Sequence, residues 1–147
     1  MRRSESATLT FFLDTNVFIS AVKNPLKETI TLRLIYSLIM NSSVRLVGDE
    51  YLLQEMMRYI EVFRSETAVR VLELLIAKVE VVRVQRNYIR ICLGYIDTPD
   101  PADVVHAAAC LQSGATLITN DHHFDRIKAE GILEVMSISE ALSSLSV

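Results

Sequence analysis

Short β-branched and aromatic runs alternate with longer, helix-like segments along the whole chain. Residues 9–13, Leu-Thr-Phe-Phe-Leu, are typical of a strand, whereas residues 27–41 repeat apolar side chains at helical spacing. Strands separated by helices favour βαβ crossovers, because parallel strands need a connection of roughly helix length. The alternation therefore predicts an α/β fold, with a central parallel sheet and helices on both faces.

Local signals set the expected element boundaries. Asp49 and Ser65 are typical helix-start residues, Gly114 is placed to end a helix, and Ser137 with Glu140 forms a capping-box pattern. The sequence has no internal repeat or linker, so we predict one domain over residues 1–147 with a frayed start over about 1–7. The predicted strands are 9–13, 44–47, 79–84, 117–119 and 134–136, and the predicted helices are 15–22, 27–41, 49–60, 65–77, 86–95, 101–112, a short helix before Gly131 and a last helix from Ser137.

The composition is that of a compact globular protein, with 50% hydrophobic and 22% charged residues. No secretory signal is evident and no apolar stretch approaches the ~20 residues of a membrane span, so we expect a cytoplasmic protein without membrane contact. Cys92 and Cys110 lack metal-type spacing and are expected to be buried small hydrophobic residues. The net charge of −3 excludes a generic polyanion binder, so nucleic acid would need a local basic patch or bound cations.

Four acidic residues are placed to meet at one edge of the predicted sheet. Asp14 and Asp121 each follow a strand, and ligands of parallel sheets bind beyond the carboxyl ends of the strands. Glu55 and Asp103 lie near helix starts that can face the same edge. Converging carboxylates repel one another unless a cation joins them, and Mg²⁺ or Mn²⁺ suits oxygen ligands. Such a centre predicts metal-dependent hydrolysis of a phosphodiester.

Each acid also has a simpler explanation. Asp14 and Asp121 can cap the helices that follow them, and Asp103 can pair with Asp100 in a capping box. Glu55 lies within a helix, where a solvated glutamate is the default. The joint placement of all four acids favours the metal site, with Asp100 and Asp125 as additional candidate ligands.

The neighbouring polar residues are less specific. Asn16, Thr119 and Asn120 are candidate supporting residues for substrate or for the acids beside them. His106 stands beside an alanine run and is predicted to be structural or to support a metal ligand indirectly, whereas His122 and His123 are predicted to be solvated on a loop. Arg83, Arg86 and Arg90, with Tyr88 between them, can contact RNA, although a solvated helix face is the favoured interpretation.

The residues around the acids resemble the PIN-domain ribonuclease family, which includes the VapC-type toxins of bacterial and archaeal toxin–antitoxin pairs. The resemblance rests on residues 12–19, on Glu55, on residues 102–109 and on residues 114–124, which together span nearly the whole chain. It implies a Rossmann-like PIN fold, divalent-metal-dependent cleavage of RNA and usually a homodimer. It assigns Asp14, Glu55, Asp103 and Asp121 to the acidic metal site, with Asn16 and Thr119 in support.

Two departures from the family pattern bear on this assignment. Asp100 stands close to Asp103, which leaves open which acid takes the third position; the alanine run after Asp103 favours Asp103. Asn120 stands where toxins often carry a basic residue, which weakens the toxin assignment more than the nuclease assignment. An antitoxin partner therefore remains a hypothesis, and the RNA target is not encoded in any motif.

Other functional classes fit less well. An aspartyl-phosphate phosphatase needs a second aspartate two residues after the nucleophile, where Asn16 stands. The glycine-rich loops of dinucleotide enzymes and nucleoside triphosphatases are absent from the sequence. The remaining alternative is an RNA-processing or RNA-binding PIN protein with weak or no nuclease activity. The apolar stripes of helices 27–41 and 49–60 make a dimer face plausible.

Overall fold

A computed structural model describes residues 9–23, 29–62, 65–98 and 100–145. The predicted frayed start and the predicted first residues of the helix from 27 lie outside these ranges.

Five strands and eight α-helices make up the described part of the chain. The strands are β1 Leu9–Leu13, β2 Val44–Gly48, β3 Val79–Val81, β4 Thr116–Ile118 and β5 Val135–Met136. The helices are α1 Thr15–Lys23, α2 Thr29–Met40, α3 Glu50–Val62, α4 Glu66–Lys78, α5 Arg86–Leu93, α6 Pro101–Ser113, α7 Asp125–Ala129 and α8 Ile138–Leu145, with a 3₁₀ helix at His122–Phe124.

The strands form one parallel sheet in the order β3-β2-β1-β4-β5. The chain moves outward from β1 through β2 to β3 and then returns to the other side of β1 with β4. Because strand–helix–strand crossovers are right-handed, this reversal places the two sets of helices on opposite faces. The structure thus confirms the predicted α/β fold, and the reversal creates a switch point between β1 and β4.

The middle of the sheet lies in the hydrophobic core. Phe12 of β1 and Leu117 of β4 are fully buried, as are the three alanines Ala107–Ala109 of α6. A run of alanines lets a helix approach a sheet closely, because it adds little side-chain bulk. Gly48 serves a similar purpose, since a Cβ there would lie 2.7 Å from a methyl carbon of Leu52 and 2.9 Å from one of Val79.

The helix ends use the capping residues that the sequence predicts. Ser65 Oγ accepts a hydrogen bond from Ala68 N, and Ser137 and Glu140 exchange side chain-to-backbone bonds at 3.2 and 2.9 Å. Gly114 ends α6 with φ of 73°, a conformation that glycine adopts without steric cost. The predicted capping box and the predicted C-terminal glycine are therefore confirmed.

The third strand is shorter than the predicted range 79–84. Val81 pairs with Gly48, the last residue of β2, so the strand has no neighbour to pair with beyond that point. The next residues instead lead into α5, and Gln85 N donates to Gln112 Oε1. A hydrophobic run continues after the sheet has ended, and sequence alone gives no sign of where the partner strand stops.

Both cysteines are buried and free, as expected. Within the described ranges, no helix has the length and apolar character needed to cross a bilayer.

Candidate active site

The candidate site lies at the switch point, where β1 and β4 end side by side. Asp14 directly follows β1 and its backbone N donates to Ile118 O at 3.0 Å. Asp121 follows β4 after two residues. Open parallel sheets bind ligands at this position, because the helices on either face diverge there and leave a crevice.

The hydroxyl of Thr119 links the two aspartates that follow the strands. It donates to Asp14 Oδ2 at 2.8 Å and accepts from Asp121 N at 3.0 Å. Thr119 is buried, so these bonds are shielded from water. One side chain therefore orients the Asp14 carboxylate and also fixes the backbone from which Asp121 projects.

Asp103 reaches the site from the first turn of α6. The start of this helix is capped by Asp100, whose Oδ1 accepts from Ala102 N at 3.0 Å, with Pro101 in the first turn. The Asp103 carboxylate does not return to cap the helix but lies 2.8 Å from His123 Nδ1. The capping-box explanation therefore does not account for Asp103, and α6 presents this acid to the site.

His123 contacts two of the candidate acids. Its Nδ1 lies 2.8 Å from Asp103 Oδ2 and 3.2 Å from Asp121 Oδ1. One donor atom from each of these three residues falls within 4.8 Å of the other two. The predicted exposure of His123 is confirmed, since 48% of its side chain is exposed, but its contacts with the two acids were not predicted. Asp121 caps the turn by accepting from His123 N at 3.0 Å, and this cap folds the imidazole back over the acids.

The site has an excess of buried negative charge. Burial raises the pKa of Asp14, and the charges of Asp103 and Asp121 add to this, while the Thr119 hydrogen bond and the charge of His106 oppose it. Burial likewise raises the pKa of Asp103, with further increases from Asp100 and Asp121 and a decrease from the bond to His123. Burial is the largest cause of both shifts, and it disfavours the ionised form of each carboxyl.

Behind the acids lies a buried Asp49–His106 pair. His106 Nδ1 is 2.6 Å from Asp49 Oδ2, and their side chains are 5% and 1% exposed. Asp49 Oδ1 also accepts from Leu52 N at the start of α3. Burial alone would lower the pKa of His106, but the hydrogen bond and charge of Asp49, with the charges of Asp14 and Asp103, raise it. The raised pKa extends the pH range in which His106 is charged, and that charge in turn lowers the pKa of Asp14.

Sequence reasoning predicted His106 as a structural or indirectly supporting residue but missed its partner. It assigned Asp49 only the role of opening a helix. Asp49 does cap that helix with one carboxylate oxygen, but its other oxygen contacts His106, which lies 57 positions away in the sequence. A buried polar pair between distant segments leaves no spacing signal, so no motif could have revealed it.

Glu55 lies apart from the three-residue donor cluster. Its side chain is 40% exposed and approaches Arg58 Nη2 at 3.9 Å. It lines a cavity of about 350 Å³ between α3 and the start of α6. The other residues that line this cavity are Tyr51, Gln54, Arg58, Asp100, Ala102 and His106.

The remaining candidates are mostly exposed. Asn16 in the first turn of α1 and Asn120 beside Asp121 are both exposed. Asp125 is 3.0 Å from His122 Nδ1, and the side chain of His122 is 91% exposed, as predicted for that histidine.

Part of the predicted basic stretch borders a second cavity. Arg83 lines this cavity of about 420 Å³, which lies beyond the ends of β2 and β3 and is also lined by Tyr51. Arg86 and Arg90 are exposed on α5. Tyr51, 44% exposed, borders both cavities.

The donor set fits a divalent cation. Carboxylate oxygens of Asp103 and Asp121 converge with an imidazole nitrogen, and the buried carboxylate of Asp14 adds negative charge beside them. A bound divalent cation would compensate the negative charge of these grouped carboxylates.

Comparison with known protein families gives one match for the sequence. A sequence profile of the PIN domain matches residues 11–130. No curated protein sequence matches the chain significantly.

Three solved structures share the fold. VapBC2 from Rickettsia felis, solved bound to a DNA fragment from its promoter, is similar with a TM-score of 0.63 and 18% identity, covering 88% of this chain and 98% of that chain. VapBC-1 from nontypeable Haemophilus influenzae is similar with a TM-score of 0.61 and 24% sequence identity, and the match covers 89% of this chain and 99% of that chain. FitAcB from Neisseria gonorrhoeae is similar with a TM-score of 0.58 and 18% sequence identity, and the match covers 88% of this chain and 98% of that chain.

Proposed function

The chain belongs to the PIN domain family, and from that premise we propose that it is a divalent-metal-dependent endoribonuclease. PIN domains are generally nucleases, and PIN nucleases use divalent metal ions. The observation that carries the proposal is the cluster of donor atoms from Asp103, Asp121 and His123 at the switch point of the sheet, with the buried Asp14 carboxyl electrostatically coupled to both acids. The raised pKa values of Asp14 and Asp103 support it, because a site built for a cation holds unbalanced carboxylates without one.

Asp14, Asp103 and Asp121 would hold Mg²⁺ or Mn²⁺. When bound, such an ion polarises the phosphate and makes a water molecule nucleophilic at neutral pH. Glu55 would act from the adjoining cavity, on the substrate or on water, and Asn16 and Asn120 are proposed to contact the RNA or support the acids. Thr119 keeps Asp14 oriented, while His106 and Asp49 fix the charge behind it.

A cysteine nucleophile is disfavoured by burial. Cys92 and Cys110 are fully buried, and burial raises the pKa of Cys92 to about 11. Burial also raises the pKa of the Cys110 thiol well above its usual range. Since the thiolate is the reactive form, neither residue is prepared for attack.

The proposed substrate is RNA, approaching along the two cavities that flank Tyr51. Tyr51 offers an aromatic surface for a base, and Arg58 and Arg83 offer guanidinium groups to phosphates. With a net charge of −3, the protein depends on these local cations and on the bound metal to attract a polyanion.

We also propose that the chain is the toxin of a toxin–antitoxin pair and forms a homodimer. The similarity in fold to VapBC2 and VapBC-1 supports the first part. Exposed apolar residues of α2, namely Ile30, Tyr36 and Met40 at 52%, 45% and 78% exposure, support a protein partner for this helix. Light scattering of the purified protein, alone and co-expressed with the product of a small adjacent reading frame, tests both parts.

The decisive test is cleavage of a mixed RNA pool in the presence of Mn²⁺ or of EDTA. Wild type should cleave only with metal, and Asp14→Asn should lose activity by at least about a hundredfold, because it removes a negative charge at the ion. Asp97→Asn makes the same chemical change at a 76% exposed side chain and should retain activity.

Full activity of Asp14→Asn would refute the proposed site. RNA binding without cleavage under any divalent ion would instead favour the alternative of an RNA-binding PIN protein.

A further inference from the structure

The donor cluster contains a nitrogen as well as carboxylate oxygens. His123 Nδ1, Asp103 Oδ2 and Asp121 Oδ1 come from the 3₁₀ helix, α6 and the end of β4. A proton must lie in the 2.8 Å contact between the imidazole and Asp103, since two bare acceptors would repel. To bind a cation, Nδ1 would have to give up that proton.

The imidazole is held there by the backbone as well as by its own contact. Asp121 accepts from His123 N at 3.0 Å, and Thr119 in turn holds Asp121 N. The next residue, Phe124, is fully buried and anchors the 3₁₀ helix in the core. His122 shows the contrast, because its side chain is 91% exposed and turns to Asp125.

We propose that His123 is a nitrogen ligand of the metal centre and gives it a preference for divalent first-row transition ions, such as Mn²⁺, over Mg²⁺. This inference rests on the proposed function, because it assumes an ion at the acids. Mg²⁺ prefers an all-oxygen shell, whereas imidazole is a good ligand for the transition ions. Because only an unprotonated nitrogen can ligate, the proton would move from Nδ1 to Nε2 in a neutral ring, or leave for solvent from a doubly protonated one.

Pulsed electron paramagnetic resonance of bound Mn²⁺ tests the inference without relying on activity. The chain has only three histidines, so a nitrogen hyperfine coupling can be assigned by substitution. Wild type should show the coupling, His123→Asp should lose it, and His122→Asp, which has the same change of side chain one residue away, should keep it. Circular dichroism of each variant establishes that it is folded.

Competition between ions gives a second readout on the same three proteins. The ratio of the Mg²⁺ and Mn²⁺ dissociation constants should fall about tenfold in His123→Asp, since an oxygen replaces the nitrogen, and should be unchanged in His122→Asp.

The possible failures separate the inference from the proposed function. Mn²⁺ bound to wild type without a nitrogen coupling, or with one that survives His123→Asp, overturns the inference and leaves the metal nuclease intact. Failure of the folded wild type to bind Mn²⁺ overturns both.

Discussion

The ionised carboxylate of Asp14 lowers the free energy of unfolding of the protein. Only 8% of the residue is exposed, and the ionised carboxylate faces the charges of Asp103 and Asp121. The Thr119 hydrogen bond and the charge of His106 offset this only in part, so the pKa of Asp14 remains raised. The folded protein therefore binds a proton here more tightly than the unfolded chain does, and folding loses free energy when Asp14 ionises.

Asp14→Asn should accordingly stabilise the metal-free protein while abolishing its activity. The free energy of unfolding in EDTA should rise by on the order of 1 kcal/mol at neutral pH. The gain should vanish as the pH falls below 3.8, the ordinary pKa of the group, since Asp14 is then protonated in both states. Urea unfolding of both proteins across this pH range measures the effect, and a variant less stable than wild type at neutral pH would contradict it.

The Asp49–His106 pair has the opposite dependence on pH. The pKa of His106 is raised on folding, so the pair stabilises fully below the ordinary histidine value of 6.5 and loses its contribution as the pH rises through the folded value. Asp49→Asn should cost about 3 kcal/mol below that value, because it leaves a buried charge unpaired.

The cost of Asp49→Asn should shrink at higher pH, where His106 is neutral in both proteins. Denaturant titrations at about pH 6 and about pH 9 measure it, with Asp97→Asn as an exposed control that should change stability by less than about 0.5 kcal/mol. A cost independent of pH would show that His106 in the folded protein does not titrate between the two pH values.

At the level of single residues, only local signals could be read from the sequence. Asp14 and Asp121 follow strands, and Asp103 precedes an alanine run, so the backbone pattern predicted their shared edge. The His123–Asp103 contact and the Asp49–His106 pair join segments that are distant in the sequence. The spacing of residues along the chain does not predict such tertiary contacts. The roles of all these acids in catalysis remain predictions.

At the scale of elements, Lys78 joins two helices that are distant in sequence. Its Nζ, at the end of α4, donates to the carbonyls of Leu38, Ile39 and Asn41 at the end of α2. The last carbonyls of a helix lack partners within the helix. A cation there also interacts favourably with the partial negative charge at the C-terminal end of the helix. Partial burial lowers the pKa of Lys78, yet the three acceptors hold the ammonium in place.

Lys78→Met should therefore destabilise the fold by about 2 kcal/mol, because it removes charged hydrogen bonds but keeps the apolar stem. Lys128→Met is the matched control, since Lys128 lies 3.7 Å from Glu140 with both side chains about half exposed. Thermal or urea unfolding measures the difference between the two variants. Equal effects from both would show that the contact with α2 contributes nothing to stability.

Element boundaries were predictable where a cap or a glycine ends a segment. Ser65, Gly114 and Ser137 stand at the observed ends. The end of β3 was not predictable, because it depends on where β2 stops at Gly48. A neighbouring strand, rather than the local sequence, decides that boundary.

For the whole molecule, the order of the strands determines where chemistry is possible. The reversal between β3 and β4 leaves β1 and β4 adjacent, which brings together acids that are 107 positions apart in the chain, Asp14 and Asp121. The alternation of strands and helices predicts such a crevice, but not its composition. Tyr51 borders two cavities, one lined by Arg83 and the other by Glu55 and Arg58, and these features motivate the proposal that RNA is the substrate.

In the proposed mechanism the acids direct a water molecule, rather than the RNA 2′-hydroxyl, at the scissile phosphate. Mass spectrometry of the products of a single-stranded RNA cleaved with Mn²⁺ in ¹⁸O-labelled water tests this most directly. We predict one ¹⁸O in a linear terminal phosphate from the first turnover of wild type, and at least about a hundredfold less product from Asp14→Asn. A 2′,3′-cyclic phosphate, or an undiminished yield from Asp14→Asn, would contradict this mechanism.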